Sequence, residues 1–429
     1  MDYDVGMIIT YQYRIKPNSD QIATIDNWLE LLRRHWNYAL GQRLDWLHRT
    51  RCQIDRCSII SEPVGELPAL VNYFSQQSAL KETKKLFPDY KDIYSEVQQI
   101  NLQRLDKSWW RWLTPDKTGK RAGRPRFKKK GELRSFCFSR VNHPKAACFL
   151  EGTILRIPRI GEIPVIVHRP IPDGFTLKRS TIVKKADGFY VFLSMEDTSV
   201  PKLMPIDTIK AAVGIDVGLE KFLATSDGEI VPIQQTYRKA QNHLGRQQRK
   251  LARKQKGSAN YKKQANKIAK IHQRIQRQRK DFHYKTAHFL VRKYDLIAVE
   301  DLNIKGLART HWGKSILDAA WGSFITILKA VAVIRGVHVF KVNPNNTSQD
   351  CSGCGVKVSK NLSIRWHSCP YCPTELDRDI NAAINILKRA IEDLKAVGLI
   401  VSACGGLEIT QPLKQEAKEM LTGFQLTLF

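Results

Sequence analysis

Apolar and polar positions alternate through Ile8-Ile9-Thr10-Tyr11-Gln12-Tyr13-Arg14-Ile15, the period of a half-buried strand, and Pro17-Asn18-Ser19 ends the run. Beyond that break Ile22, Ile25, Leu29, Leu32, Trp36, Leu40, Leu44 and Leu47 recur at steps of three and four. They predict a long helix with Ser19 as its N-cap. A second helical pattern fills about 69–112 and closes on Leu105, Trp109, Trp110 and Trp112, interleaved with Arg104, Lys107 and Arg111. Core packing is the favoured reading of these rings, with base stacking as the alternative. Residues 136–197 shift to short alternating runs at 153–157, 163–168, 181–184 and 190–195, with Asp187-Gly188 as a hairpin turn. That pattern predicts a small antiparallel barrel or sheet. The first strand is expected to join it, making the helical region an insertion.

Another strand pattern opens at Ala211. The helical stretch after it is expected to form a pair interrupted near Gly257-Ser258, with Ile268, Ile271 and Ile275 along one apolar edge.

Charge changes the picture more than overall composition does. The chain has 429 residues, 42% of them hydrophobic and 9% aromatic, enough for about three folded domains and too much for wholesale disorder. Lys and Arg number 70 against 41 Asp and Glu, a formal net charge of +29. Such an excess points to a polyanion, and nucleic acid is the commonest one. No run approaches about eighteen unbroken apolar residues and the start Met1-Asp2-Tyr3-Asp4 is acidic, so no membrane partner is expected and a cytoplasmic, nucleoid-associated location is. Nine cysteines, an odd number in a long chain, fit a reducing compartment better than a disulfide framework.

The positive charge is concentrated. Between Pro115 and Gly131 lie Lys117, Lys120, Arg121, Arg124, Arg126, Lys128, Lys129 and Lys130, with Asp116 the only acid. Phosphate contact by Lys120, Arg121, Arg124, Arg126, Lys128 and Lys129 is preferred to plain solvation. No acid at all occurs between Glu229 and Asp281. Like charges on a helix repel unless an anion offsets them, which makes Arg249, Lys250, Arg253, Lys254, Lys262, Lys263, Lys267 and Arg274 further candidate nucleic-acid contacts.

Two CxxC pairs, Cys351-Ser352-Gly353-Cys354 and Cys369-Pro370-Tyr371-Cys372, are the strongest local signal. Each places two thiolates on a tight knuckle, and two knuckles complete the four-sulfur shell of one structural Zn²⁺. A redox role would need one CxxC in a βαβ setting. His367 could compete as a ligand. Cys52, Cys57, Cys137, Cys148 and Cys404 have no such spacing and read as packing thiols.

Three acids sit where an unpaired charge is costly: Asp216 in the apolar strand Ala211–Gly218, Glu300 at the end of the strand from Tyr294, and Asp379 at the opening of a helix through Ala382, Ala383, Ile386 and Leu387. Each alone could cap a helix or pair with a Lys or Arg. Together they suit two Mg²⁺ or Mn²⁺ ions, about 4 Å apart, that hydrolyse a phosphodiester.

In this order, Gly214-Ile215-Asp216-Val217-Gly218, Val299-Glu300-Asp301-Leu302, Thr347-Ser348-Gln349-Asp350-Cys351-Ser352-Gly353-Cys354-Gly355 and Asp377-Arg378-Asp379-Ile380-Asn381-Ala382-Ala383 resemble the TnpB family, accessory proteins of bacterial insertion sequences. The likeness covers about 206–390 and extends loosely to Gly123-Arg124-Pro125-Arg126-Phe127-Lys128. It implies a multidomain α/β chain. An RNase H-like (RuvC) nuclease spans 206–346 and 373–403, with an inserted zinc ribbon at 347–372. A β-barrel-like wedge domain at 1–18 and 127–205 is interrupted by a helical recognition insertion at 19–126, and 404–429 form a C-terminal tail.

By the same resemblance Asp216, Glu300 and Asp379 are the catalytic, metal-binding triad, with Asp377 the less favoured neighbour. The implied activity is RNA-guided cleavage of double-stranded target DNA beside a short flanking motif, with a guide RNA as partner. A compact type V CRISPR effector, a strand-transfer transposase and a zinc-containing nucleic-acid-binding protein that does not cut are the alternatives. Oligomeric state is left open.

Overall fold

The structure, a computed structural model, describes residues 7–50, 69–116, 118–197, 208–361 and 364–396. Cys52, Cys57, Cys404, Lys117, the boundary at 205–206 and the expected tail lie outside them. The chain divides into two compact units, Met1–Val200 and Pro201–Phe429.

The first unit starts with strand β1 (Met7–Ile15) and helix α1 (Ser19–Thr50), followed by α2 (Tyr73–Ser78), α3 (Leu80–Leu86) and α4 (Ser95–Leu113). Six strands complete it: β2 (Ser135–Phe138), β3 (Phe149–Glu151), β4 (Ile154–Ile157), β5 (Gly161–Ile166), β6 (Thr176–Lys185) and β7 (Gly188–Asp197). Its antiparallel sheet has the order β2-β6-β7-β1-β5-β4-β3, with β1 between two strands more than 140 residues later. Among the described residues no ladder joins β2 to β3, but an isolated bridge pairs Val141 with Cys148 between them.

The α1 stripe is buried as its period requires. Ile25, Trp28 and Leu32 pack on Tyr13, Phe136 and Val191 of the sheet, and farther along Trp36 and Leu40 meet Leu102, Leu105 and Trp109 of α4. Trp109 is thus core, 5.3 Å from the Trp112 ring, whereas Trp110 is exposed.

The N-cap of α1 is Asn18, one residue before the expected Ser19. Asn18 Oδ1 accepts the Gln21 N–H at 2.8 Å and Gln21 Oε1 accepts the Asn18 N–H at 3.0 Å. This is a capping box, and the glutamine three residues on chooses between two adjacent cap-forming residues.

The second unit carries strands β8 (Ala212–Val217), β9 (Lys221–Thr225) and β10 (Ile230–Pro232), then helices α5 (Thr236–Ala252) and α6 (Ala259–Lys293). Next come β11 (Leu296–Glu300), α7 (Ile304–Leu307), α8 (Gly313–Ala319), α9 (Trp321–Arg335) and β12 (His338–Val342). A small hairpin of β13 (Trp366–Ser368) and β14 (Glu375–Asp377) precedes the last helix, α10 (Arg378–Ala396).

The sheet order is β10-β9-β8-β11-β12, antiparallel on the β10 side and parallel from β8 through β12. One face, through Val213, Ile215, Ile297 and Val299, packs against α6 and α9; the other is covered by α10.

Gly313–Arg335 is long and apolar enough by composition to cross a membrane, with a mean hydropathy of 1.6. It is not one unbroken run. Asp318 and Lys329 interrupt it, the chain breaks direction at Ala320 (φ 53°), and Phe324, Leu328 and Ala332 are buried in the core under the sheet. These are the features of a core element.

Candidate functional site

Strand alternation sets the first two acids. β8 and β11 run parallel with Gly214 opposite Ala298 and Ile215 opposite Val299, so the next step puts Asp216 beside Glu300. Both share the face of Ala298, which packs under Ile386 and Ala390 of α10.

Gly214 lets that helix approach. A Cβ at this position would lie 2.0 Å from the Ala383 carbonyl oxygen and 2.8 Å from the Leu387 nitrogen. No larger residue fits without displacing backbone. Close packing of α10 brings its first turn, with Asp379, near enough for its charge to act on Asp216.

The three carboxylates are half-buried, and each is held above the usual range. Burial pushes the Asp216 carboxyl up most, and the charges of Glu300 and Asp379 add to it, against Arg378 and the Val217 N–H. Burial also raises Glu300, opposed by the Thr347 hydroxyl and then Arg389. For Asp379 burial leads and Asp377 reinforces it, with Lys221, Arg365 and Arg378 opposing. Oxygen donors that repel one another in a partly dry site are what a hard divalent cation stabilises.

Their oxygens are spaced more widely than a single tight ligand cluster. Among the described residues only the cysteines form a group of three or more such atoms all within 4.8 Å of one another. Asp377 is committed elsewhere: it pairs with Lys221, and its Oδ1 accepts the Asp379 N–H at 2.9 Å, capping α10.

The four cysteine sulfurs converge. Cys351 Sγ lies 3.5 Å from Cys372 Sγ, and Cys354 Sγ lies 3.6 Å from Cys369 Sγ. A tetrahedral Zn²⁺ with bonds of about 2.3 Å has sulfur–sulfur edges of about 3.8 Å, so the donor set fits that ion.

The knuckles need small residues. Gly355 has φ +78°, and a Cβ on Gly353 would lie 2.1 Å from Thr374 Oγ1. The Thr374 hydroxyl and N–H beside Cys372 pull its thiol down to about 6, toward the ligating thiolate. His367 is buried against Lys360 Nζ and stands outside the sulfur cluster. Of the packing thiols, Cys137 and Cys148 are buried and free.

The chain between β12 and the first knuckle is clasped by α10, which sequence reasoning missed. Asn385 Nδ2 donates to the carbonyls of Thr347 (2.9 Å) and Asp350 (2.7 Å); Asn381 donates to Asp350 O at 2.8 Å and accepts the Ser352 N–H at 2.9 Å. Arg389 reaches the Asp350 carboxylate at 2.8 Å. Thr347 Oγ1 in turn donates to Glu300 Oε1 at 2.5 Å. The available signal was two asparagines one turn apart on an otherwise apolar helix face, which burial obliges to find partners.

The basic stretch forms an antiparallel pair. Ser258 caps α6 by accepting the Tyr261 N–H at 3.1 Å, after Gly257 at φ +90°. Arg249, Lys250, Arg253, Lys262, Lys263, Lys267 and Arg274 are exposed and Lys254 half-buried; among the described residues none of the eight forms an ion pair. Buried Asp318 of α8, also unforeseen, anchors the pair by accepting the N–H groups of Tyr237 (2.9 Å) and Arg238 (3.1 Å) and Arg279 of α6 at 3.1 Å.

In the first unit Lys120, Arg121, Arg124, Arg126 and Lys129 are exposed. Lys128 is different. Its backbone is pinned by Asn37 and Arg33 of α1, and its Nζ sits 4.4 Å over the Trp36 ring.

Three family models match: one described as "Probable transposase" over 195–311, one as "Cas12f1-like, TNB domain" over 321–386, and one as "Helix-turn-helix domain" over 7–52. The last region is here a strand followed by one 32-residue helix. A "Putative RNA-guided DNA endonuclease" of Streptomyces pristinaespiralis is 29% identical over 92% of this chain and 90% of its own length. "Putative RNA-guided DNA endonuclease InsQ" of Escherichia coli K12 is 29% identical over 77% and 81%. A "TnpB-like protein" of Acanthamoeba polyphaga mimivirus is 30% identical over 44% and 40%. A solved Cas12f1-sgRNA-target DNA complex aligns with 90% of this chain and 99% of that one, at 13% identity and a TM-score of 0.45. The chain is thus similar along most of its length to proteins named as putative RNA-guided DNA endonucleases, and over part of it to proteins named as TnpB-like.

Proposed function

We propose that this protein is a metal-dependent, RNA-guided DNA endonuclease of the TnpB type, acting from the cytoplasm on nucleoid DNA. The observation that supports this is the strand register that sets Asp216 beside Glu300 on the sheet face under α10, with Asp379 in the first turn of that helix near enough for its charge to act on Asp216. The strand order supports an RNase H-like core at 206–346 and 373–403. Two Mg²⁺ or Mn²⁺ ions bound there would supply an activated water and neutralise the leaving oxygen.

The protein's own part is positional. Asp216 and Glu300 are fixed by strand register, and Asp379 by the capped first turn of α10. The four cysteines hold one structural zinc in the 347–372 module and leave it no open position. In the same reading 1–18 with 127–205 form the wedge, 19–126 the recognition insertion, and the exposed cations of α5, α6 and 120–129 hold RNA and DNA phosphates.

The family relatives are named for RNA guidance, which makes the guide directly testable. RNA extracted from purified protein is sequenced, and a plasmid matching its guide portion is offered with Mg²⁺. Guided cutting is expected, and Asp216→Ala should lose it by roughly a thousandfold, about 4 kcal/mol, while still carrying RNA. Undiminished cutting by that variant would contradict the assignment.

A further inference from the structure

We infer that Thr347 is a positioning residue for metal binding at the carboxylate centre, holding Glu300 in place from the segment that α10 clasps beside the cysteine module. The inference rests on the nuclease reading above and deepens it.

Thr347 is buried, 3% exposed, at a point where three structural elements meet. Its hydroxyl donates to Glu300 Oε1 at 2.5 Å and is, among the described residues, the only hydrogen-bond donor to that carboxylate. A carboxylate held at one oxygen keeps the other for a ligand and has fewer orientations to lose when it binds. Partners of this kind, behind the groups that touch the ion, typically change metal affinity by about 10–100-fold.

Thr347 is itself held from α10. Its carbonyl accepts from Asn385 Nδ2, and the same amide group reaches Asp350 O, which Asn381 also holds. Asn381 then accepts the Ser352 N–H inside the first knuckle. Asn381 and Asn385 lie on α10, the helix that carries Asp379. The bonds therefore run from Glu300 through Thr347 to α10, tying one metal-facing carboxylate to the element that presents another. The knuckle is bonded to one of these asparagines, Asn381, so the cysteine module braces the centre without contributing a ligand to it.

Mn²⁺ binding to purified protein, read by electron paramagnetic resonance of the free ion, tests this independently of cutting. Thr347→Val keeps the shape and removes the hydroxyl; it should weaken Mn²⁺ binding about 10–100-fold, with zinc content unchanged by elemental analysis. Thr347→Ser restores the hydroxyl and should return affinity to within about threefold of the parent. In a Glu300→Gln background the valine should add nothing further.

Parental Mn²⁺ affinity in Thr347→Val would overturn the inference. So would a serine variant as weak as the valine one, or a full further loss in the Glu300→Gln background. Asp216→Ala separates a failed carboxylate centre from a failed role for Thr347: if it binds Mn²⁺ as the parent does, the carboxylate reading itself falls and this inference with it. If it has lost the ion while Thr347→Val has not, only the role of Thr347 is refuted.

Discussion

The four cysteines and the three carboxylates belong to the same unit and gather ligands by opposite means. The cysteines come from a stretch of 22 residues, and their sulfurs close to within 4.8 Å of one another because the knuckle turns, built on Gly353 and Gly355, leave them nowhere else to go. The carboxylates come from positions 216, 300 and 379, and it takes two strands and a helix to assemble them. A soft, closed sulfur shell satisfies its ion completely and so serves architecture; spaced, half-exposed oxygens leave room for substrate.

The energetics divide the same way. A metal on the four sulfurs would supply much of the stability of the cysteine module, whereas the carboxylates disfavour one another and are kept together by apolar packing above and below the sheet. Thr347 and the two asparagines of α10 join the regions.

Removing a cysteine should have the largest effect. Cys369→Ser is expected to release the metal and with it binding energy of about 10–16 kcal/mol that the module needs to fold, seen as lost zinc and rapid proteolysis of 347–377; retained zinc would contradict a four-sulfur site. Glu300→Gln should cost cutting about a thousandfold, near 4 kcal/mol, with zinc in place. Gly214→Ala acts on neither ligand set but on the approach of α10. It should destabilise the unit by about 1–3 kcal/mol in denaturant titrations and weaken Mn²⁺ binding as Asp379 moves off.

The smallest expected effect is a pH dependence. Each carboxylate is raised above its unfolded value, so without divalent ions stability is fully present below about pH 4 and falls as pH rises through the folded values. Mg²⁺ should therefore raise the melting temperature more at pH 7.5 than at pH 5, and an equal rise at both would count against ion binding by these groups.

Local patterns were legible and long-range ones were not. The alternation of 8–15, the stripe of α1 and the break at Gly257-Ser258 all correspond to elements found, because each is decided within a few residues; the hairpin expected at Asp187-Gly188 is there too, with its turn one residue earlier at Ala186-Asp187 and Gly188 paired with Lys185. The sequence likewise placed Asp216 inside a strand, Glu300 at a strand end and Asp379 in a first helical turn. The cap of α1 fell one residue early because Asn18 and Ser19 are both good caps and only Gln21 separates them.

Gly214 reads as a strand glycine until α10 is seen against it. Thr347 and Asp318 look ordinary until partners 47 and about 80 residues away are in place. Whether a basic residue meets solvent or a ring is also tertiary, as Lys128 over Trp36 shows.

Diffraction from crystals soaked in Mn²⁺, with anomalous differences collected at the manganese edge, addresses the carboxylate centre most directly. Two manganese peaks about 4 Å apart are expected among Asp216, Glu300 and Asp379, with a separate zinc peak within the four sulfurs. Manganese bound elsewhere while these three side chains stay bare would contradict a metal centre there.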